Sequence, residues 1–574
     1  MVAVFFLNGC VTSATSKEEE EVIDSSMATM EANNTEAETN VEKDTAIDPD
    51  VLYLLLVAEI AGQRGAYDVA LEGYLRAAEK VNEPKVAERA AKIAAYLKND
   101  TKTEQALSQW LKNDTESLPA RKMAALSALR ANDKVTALKH LNFLLKKDPA
   151  GFEVSLLELV KVAVAENQGE FFYEVLESLS VQHPEKASIY FVQAIVASQL
   201  KKNNLALLKV EKSLELLPNW NKALVLHAQL ALHAGNIPLA KTILEEAMVK
   251  DPKNIVFKGM LGQVFLKTEN YQQASVLYEE ILKIEPRDDE TRYRLALVYL
   301  QLKQEEKARV LLLALSDSRR WQPQASLYLG KMAANQNNVA DALVWFDKVT
   351  VEPLAFEASV SAIALLMEKQ RYVEAKQRLK ALKEVTPEHQ LRLVLVEAEL
   401  LTKQKEYRQA FDLLTQALKE NPKQPELLYS RALVAENLNK LDVLEADLLV
   451  VLKKYPNDVN ALNALGYTLA NRTQRYQDAE KYLSKALALK PNEAVIIDSY
   501  GWLQFRLGNL GQAKLYLERA YSKLKEAEIA AHLVEVFWVM EEKQQAKALF
   551  SKAWKMEPNN EFLLKLKQRI IGLD

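Results

Sequence analysis

The chain has 574 residues, of which 49% are hydrophobic and 26% charged, with a formal net charge of −4 and one cysteine. That balance excludes a disulfide-stapled scaffold and a strongly basic nucleic-acid binder, and after residue 50 no stretch reaches the roughly 18 uninterrupted apolar residues of a membrane-crossing helix. Only 15 glycines are spread over the whole length, as a nearly all-helical protein requires.

In chain order, residues 1–16 come first, with the run Val2-Ala3-Val4-Phe5-Phe6-Leu7-Asn8-Gly9-Cys10. An apolar run that ends in Leu-x-Gly-Cys resembles a bacterial lipobox, in which the cysteine thiol is lipidated and becomes the new N-terminus. No Lys or Arg precedes the run and it is shorter than a usual signal core, so a start further upstream than Met1 is expected. Val11 follows the cysteine in place of aspartate, which the enteric sorting rule assigns to the outer membrane. A triacylated Cys10 carries enough acyl chain for a stable anchor. The expected location is the periplasmic face of the outer membrane in a Gram-negative bacterium, where a chain with no other cysteine needs no disulfide.

Residues 17–50 hold twelve acidic residues, among them the run Glu18 to Glu21, against Lys17 and Lys43, and no aromatic residue. The net charge of −10 and the lack of large apolar side chains predict a disordered tether, because such a segment cannot bury enough area to offset its ordering entropy.

Residues 51–574 carry a beat. Pro184, Pro218, Pro252 and Pro286 fall 34 residues apart, and Pro353, Pro387, Pro422, Pro456 and Pro491 resume the spacing with at most one residue of slippage. Counting the proline as position 32, the repeat that ends at Pro252 places Leu224, Ala228, Ala231, Ala240, Leu244 and Ala247 at three- and four-residue helical spacings. Small residues recur at positions 8, 20 and 27, where two antiparallel helices approach closely. The proline lacks an N–H and closes the second helix. A 34-residue period of this kind is that of the tetratricopeptide repeat. The predicted fold is therefore an all-α tetratricopeptide-repeat solenoid, a right-handed superhelix of about fifteen antiparallel helix pairs. The pattern is degenerate from Leu75 to Pro149 and from Asp317 to Pro353.

Catalytic and metal-binding patterns do not emerge. The six histidines (His140, His183, His227, His233, His389, His532) form no His-x-x-x-His pair, and there is no phosphate loop, no Gly-x-Gly-x-x-Gly and no Gly-x-Ser-x-Gly. No cofactor, metal or small-molecule substrate is expected, and no enzyme activity. What remains is the inward face of the first helices, which in such arrays carries partner-binding side chains. Position counting places Tyr293 and Leu297, Tyr429, Tyr467, and Trp502, Phe505 and Arg506 on that face, residue types that anchor partner peptides. Trp538 falls at a core position.

Near its two ends the chain also carries less generic sequences. Leu52-Tyr53-Leu54-Leu55-Leu56-Val57-Ala58-Glu59-Ile60-Ala61-Gly62-Gln63-Arg64 and Val86-Ala87-Glu88-Arg89-Ala90 stand at the start of the array. Asn463-Ala464-Leu465-Gly466-Tyr467-Thr468-Leu469-Ala470-Asn471-Arg472-Thr473, Asp498-Ser499-Tyr500-Gly501-Trp502 and Glu528-Ile529-Ala530-Ala531-His532-Leu533 stand near its end. With the lipobox, these resemble proteobacterial tetratricopeptide lipoproteins of the LbcA type; Val534 stands where that family usually has glycine. The resemblance implies an outer-membrane-anchored adaptor that binds a periplasmic carboxy-terminal processing protease and its substrates, peptidoglycan hydrolases among them. An assembly factor for a pilus or a polysaccharide exporter, with the same repeat and anchor, is the alternative.

Overall fold

The computed structural model describes residues 48–570 apart from 387, 388 and 559. The signal segment, Cys10, the acidic segment as far as residue 47, and Pro387 lie outside the described residues.

Two compact units divide between Asn236 and Ile237. The first holds α1 (Pro49–Gln63), α2 (Tyr67–Lys80), α3 (Pro84–Tyr96), α4 (Asp100–Asn113), α5 (Leu118–Arg130), α6 (Lys134–Lys147), α7 (Phe152–Ala165), α8 (Gly169–Gln182), α9 (Ala187–Gln199), α10 (Asn203–Leu216) and α11 (Asn221–His233). The second opens with α12 (Ile237–Lys250), α13 (Ile255–Lys267), α14 (Tyr271–Ile284), α15 (Asp289–Gln301), α16 (Glu305–Leu315), α17 (Gln322–Asn335), α18 (Val339–Asp347), α19 (Leu354–Glu368) and α20 (Tyr372–Val385). It continues with α21 (Gln390–Lys403), α22 (Tyr407–Glu420), α23 (Pro425–Asn437), α24 (Leu441–Lys454), α25 (Val459–Arg472), α26 (Tyr476–Leu489), α27 (Ala494–Arg506), α28 (Leu510–Lys523), α29 (Ala527–Val539), α30 (Lys543–Met556) and α31 (Glu561–Arg569). No strand interrupts them among the described residues.

Consecutive helices pair as hairpins, α1 with α2 through α9 with α10 in the first unit and α13 with α14 through α29 with α30 in the second. α11 and α12, one repeat's worth of sequence, flank the boundary between the units. Second helices also pack on the first helix of the next hairpin, except at α6 and α7, where α5 packs on α7 and α6 on α8 instead, and in the second unit α23, α25, α27 and α29 lie side by side. This is the all-α tetratricopeptide solenoid that the period predicts, and the first helix among the described residues begins at Pro49, capped by the Asp48 carboxylate, which accepts from the Asp50 N–H at 3.0 Å.

The beat acquires a physical meaning at each joint. Pro184, Pro218, Pro252 and Pro286 stand in the turn just past α8, α10, α12 and α14, where a missing N–H costs no helical bond. Pro353 differs, standing as the N-cap of α19. Small residues at position 8 are required by contact: a Cβ on Gly262 would meet the Tyr278 ring at 2.7 Å, and one on Gly466 would meet Leu483 Cγ at 2.6 Å.

A second beat lies inside the hairpins. The residue ending each first helix turns left-handed at Gly65, Lys98, Asn132, Asn167, Lys201, Gly235, Glu269, Lys303, Asn337, Gln370, Lys405, Asn439, Gly508 and Glu541. The next N–H then reaches back five residues, as from Lys202 to the Ala197 carbonyl at 2.9 Å, which closes the helix end. One joint departs. Between α25 and α26, Thr473 stays extended, its hydroxyl donating to the Leu469 carbonyl at 2.6 Å and accepting from the Arg475 N–H at 3.0 Å.

Of the two stretches with degenerate spacing, Leu75 to Pro149 folds into full-length helices. From Asp317 to Pro353 the departure is structural: α18 has 9 residues, and α16 just before it has 11, against the usual 14 for a second helix.

Candidate functional site

First helices set the candidate surface, because in the second unit α23, α25, α27 and α29 lie side by side and so share a face along the array. Two aromatic groups are built from these helices and their neighbours.

The first group surrounds Tyr293 on α15. Its ring lies 4.9 Å from Trp321, the residue capping α17, and 6.2 Å from Tyr328 within α17. Arg320 stands 5.3 Å over Trp321, and Lys331 stands 5.5 Å over Tyr328. All three rings and Leu297 are half-buried, while Arg319 and Arg320 are exposed. Burial first, and then the neighbouring Tyr328, push the Tyr293 phenol above its ordinary range, so it stays a neutral donor. Position counting found Tyr293 but missed Trp321 and Tyr328, because the repeat loses its phase at Asp317. Tyr429 on α23 is half-buried beside Leu433, which is 39% exposed.

The second group is a node joining α25, α27 and α29. The Tyr467 hydroxyl donates to Glu528 Oε1 at 3.0 Å and lies 3.4 Å from His532 Nε2. His532 Nδ1 donates to Asp498, 3.0 Å from Oδ1 and 3.1 Å from Oδ2. The Trp502 ring stacks on His532 at 4.2 Å and on Phe505 at 5.0 Å, and its N–H donates to Asn471 Oδ1 at 3.2 Å. Burial opposes charge on His532, yet the adjoining Asp498 carboxylate outweighs it and raises the imidazole pKa. Burial, with Asp498 nearby, raises the Glu528 pKa against the pull of His532. A doubly protonated His532 satisfies every member in turn: Nδ1–H to Asp498, Nε2–H to the Tyr467 oxygen, Tyr467 O–H to Glu528.

The node changes the reading of four expected groove residues. Trp502 is only 5% exposed; it belongs to the packing, because His532 from the following repeat covers the ring that position counting aims inward. Phe505 is half-buried against it. Arg506 is already occupied, donating to the Asn471 carbonyl at 3.0 Å and the Tyr476 hydroxyl at 3.1 Å. Tyr467 is half-buried with its hydroxyl committed to the node. Tyr293, Leu297 and Tyr429 are half-buried and stay candidates for partner contact. Trp538 is half-buried against the last core cluster, as its position implied. The node's His532 and Asp498 were legible only as parts of the terminal family-like sequences.

No cluster of three metal-ligating side chains occurs among the described residues, and no described helix is long and apolar enough to cross a membrane.

Two stretches of the chain match tetratricopeptide repeat family models. They are residues 265–332, which include Tyr293, Trp321 and Tyr328, and residues 445–494, which include Tyr467. The chain is similar to the TPR repeat-containing protein PA4667 of Pseudomonas aeruginosa, with 29% identity over 538 residues, 87% of this chain and 84% of that one. Among solved structures it is similar to TTC0263, a thermophilic TPR protein of Thermus thermophilus, at 24% identity over 31% of this chain and 95% of that one, with a TM-score of 0.29. It is also similar to a chain of the APC/C hetero-tetramer Cut9–Hcn1, at 15% identity over 90% of this chain and 96% of that one, with a TM-score of 0.36. An array of tetratricopeptide repeats is a scaffold for protein partners, its extended face built from many small equivalent units.

Proposed function

We propose that this chain is a lipid-anchored adaptor of the outer membrane that binds a periplasmic carboxy-terminal processing protease and brings it peptidoglycan hydrolases. The observation that carries the reading is the node. Three sequence stretches that resemble the LbcA-type lipoproteins, 463–473, 498–502 and 528–533, contribute Tyr467 and Asn471, Asp498 and Trp502, and Glu528 and His532 to one hydrogen-bonded, stacked cluster. A generic repeat needs none of these side chains, so their convergence supports a resemblance deeper than the period. Similarity to a Pseudomonas aeruginosa repeat protein along 87% of the chain supports it further.

On this reading the aromatic ledge at Tyr293, Trp321 and Tyr328 supplies anchoring area for a partner, with half-buried rings that keep an apolar edge open. The test is affinity capture with the Cys10→Ser chain from a periplasmic extract. The expected outcome is co-purification of a serine protease of the processing type, weakened about tenfold or more by Tyr293→Ala with Trp321→Ala, a hot-spot loss of roughly 1.4 kcal/mol or more. Recovery of pilus or exporter subunits without the protease sinks the adaptor reading. In cells, Cys10→Ser is expected to release the protein from membranes with its helicity intact; a variant that stays in the membrane fraction contradicts the anchor.

A further inference from the structure

α16 stops early, at Leu315, and residues 316–321 carry the chain across to α17. The Ser318 carbonyl fixes this connection by accepting from the Trp321 N–H at 3.1 Å and the Gln322 N–H at 2.8 Å, and the Gln322 side chain donates to the Lys348 carbonyl at 2.9 Å. A held turn therefore presents Arg319, Arg320 and Trp321 together. Both arginines are exposed and form no ion pair among the described residues, and Asp317 is the single carboxylate within residues 316–321.

The aromatic ledge beside this turn is electrically one-sided. Spacings of seven and three residues put Trp321, Tyr328 and Lys331 on one stripe of α17. At the far end of the stripe the Lys331 ammonium is neutralised by Glu357 of α19, 2.7 Å away. The arginines of α15 are likewise occupied, Arg292 by Asp289 and Arg294 by Glu290. At the Trp321 end two guanidinium charges are left over, and that of Arg320 lies 5.3 Å over the Trp321 ring. A guanidinium stacked on an aromatic face is weakly hydrated and keeps its planar fork of donors for a carboxylate.

We propose that the ledge and its turn form a docking site for a partner segment in which a large apolar side chain is followed directly by aspartate or glutamate. The apolar side chain covers the half-buried rings of Tyr293, Trp321 and Tyr328, and the acidic side chains pair with Arg319 and Arg320. Charge complementarity sets the occupant: the cations nearest the rings at the other end are already spent, so acidic groups gain at the turn alone. The inference deepens the anchoring role given to the ledge above and rests on it, while leaving open which protein carries the segment. If the processing protease is not captured but the discrimination below is found, the adaptor reading fails alone. If the protease is captured without that discrimination, the present inference fails alone.

Titration calorimetry of the full chain with synthetic peptides tests it. The probe is a peptide of about ten residues, roughly 33 Å when extended, with a central phenylalanine, two aspartates directly after it and an amidated C-terminus. Its controls replace the aspartates by asparagine, replace the phenylalanine by alanine, or give the asparagine peptide a free C-terminus. At about 0.05 M salt the aspartate peptide is expected to bind at least about tenfold more tightly than the asparagine peptide. That ratio should shrink by about 0.5 M, as the screening length falls from about 14 Å to about 4 Å. Arg319→Gln with Arg320→Gln should abolish the ratio and leave the asparagine peptide within about twofold of its original affinity. Alanine in place of the phenylalanine should weaken binding about tenfold. Equal affinities for the aspartate and asparagine peptides, or no binding of the aspartate peptide up to about 1 mM, overturn the proposal. So does a ratio that survives the double arginine variant. A preference shown only by the free C-terminus assigns the arginines to a chain end and overturns it as well.

Discussion

His532 is a buried imidazole whose charge the fold favours. Its pKa stands above the ordinary value of about 6.5, so the bound proton stabilises the folded state below that pH, and the contribution is lost as pH rises through the folded pKa. Glu528, raised as well, has the same sign: its protonated form favours the fold, and that gain is lost as pH rises. His532→Gln leaves Asp498 buried without its partner and is expected to cost roughly 3–5 kcal/mol near pH 6. The gap between the two proteins should narrow toward pH 9, measured by denaturant unfolding at each pH. A gap that is constant or widens with pH would show that the ring stays neutral and acts only by packing. Trp502 teaches the complementary lesson. Its sequence position states which way the side chain leaves its own helix; what covers it is decided by His532, one repeat away, so spacing alone could not separate a groove anchor from packing.

Helices explain where the sequence was legible and where it was not. The 34-residue spacing exposed the fold because proline and small residues are forced at one place per repeat by a missing N–H and by close approach. The left-handed turn within each hairpin is just as regular, yet Lys, Asn, Glu and Gln occupy it as well as Gly, so no residue type announces it. The ledge around Trp321 was hidden because α16 and α18 are short and shift the register. Glycines within first helices divide on the same geometric ground. A Cβ on Gly259 would meet only Ile281 Cδ1, at an ordinary 3.9 Å, so Gly259→Ala is expected to raise stability by up to about 1 kcal/mol through helix propensity. A Cβ on Gly466 would press on Leu483 at 2.6 Å and on the Ala479 carbonyl at 3.2 Å; Gly466→Ala should therefore lower stability by about 1–3 kcal/mol despite the same propensity gain. Thermal unfolding of the pair decides it, and a shift of the same sign in both would refute the packing argument.

At the scale of the molecule, stability is close to a sum of neighbouring interfaces, because each hairpin packs mainly on those next to it, the node's Tyr467–Glu528 bond being a longer link. Such an array opens from its ends, and the closing helix controls how far. α31 covers the apolar edge of α29 with Leu563, Leu566 and Ile570, all buried, and ends the stack with a charged outer face. Removing residues 561–574 strips those side chains, whose burial is worth about 1.5–3 kcal/mol each, from the last hairpin alone. Hydrogen exchange should then accelerate by two or more orders of magnitude in α29 and α30, with the node helices α25 and α27 affected less and α7 to α9 unchanged. The node makes this a graded test: Tyr467 and Asp498 tie α29 back to α25 and α27, so fraying should slow where those bonds begin. A uniform acceleration through the whole chain would show a single cooperative body, and nearest-neighbour additivity would then fail for this protein.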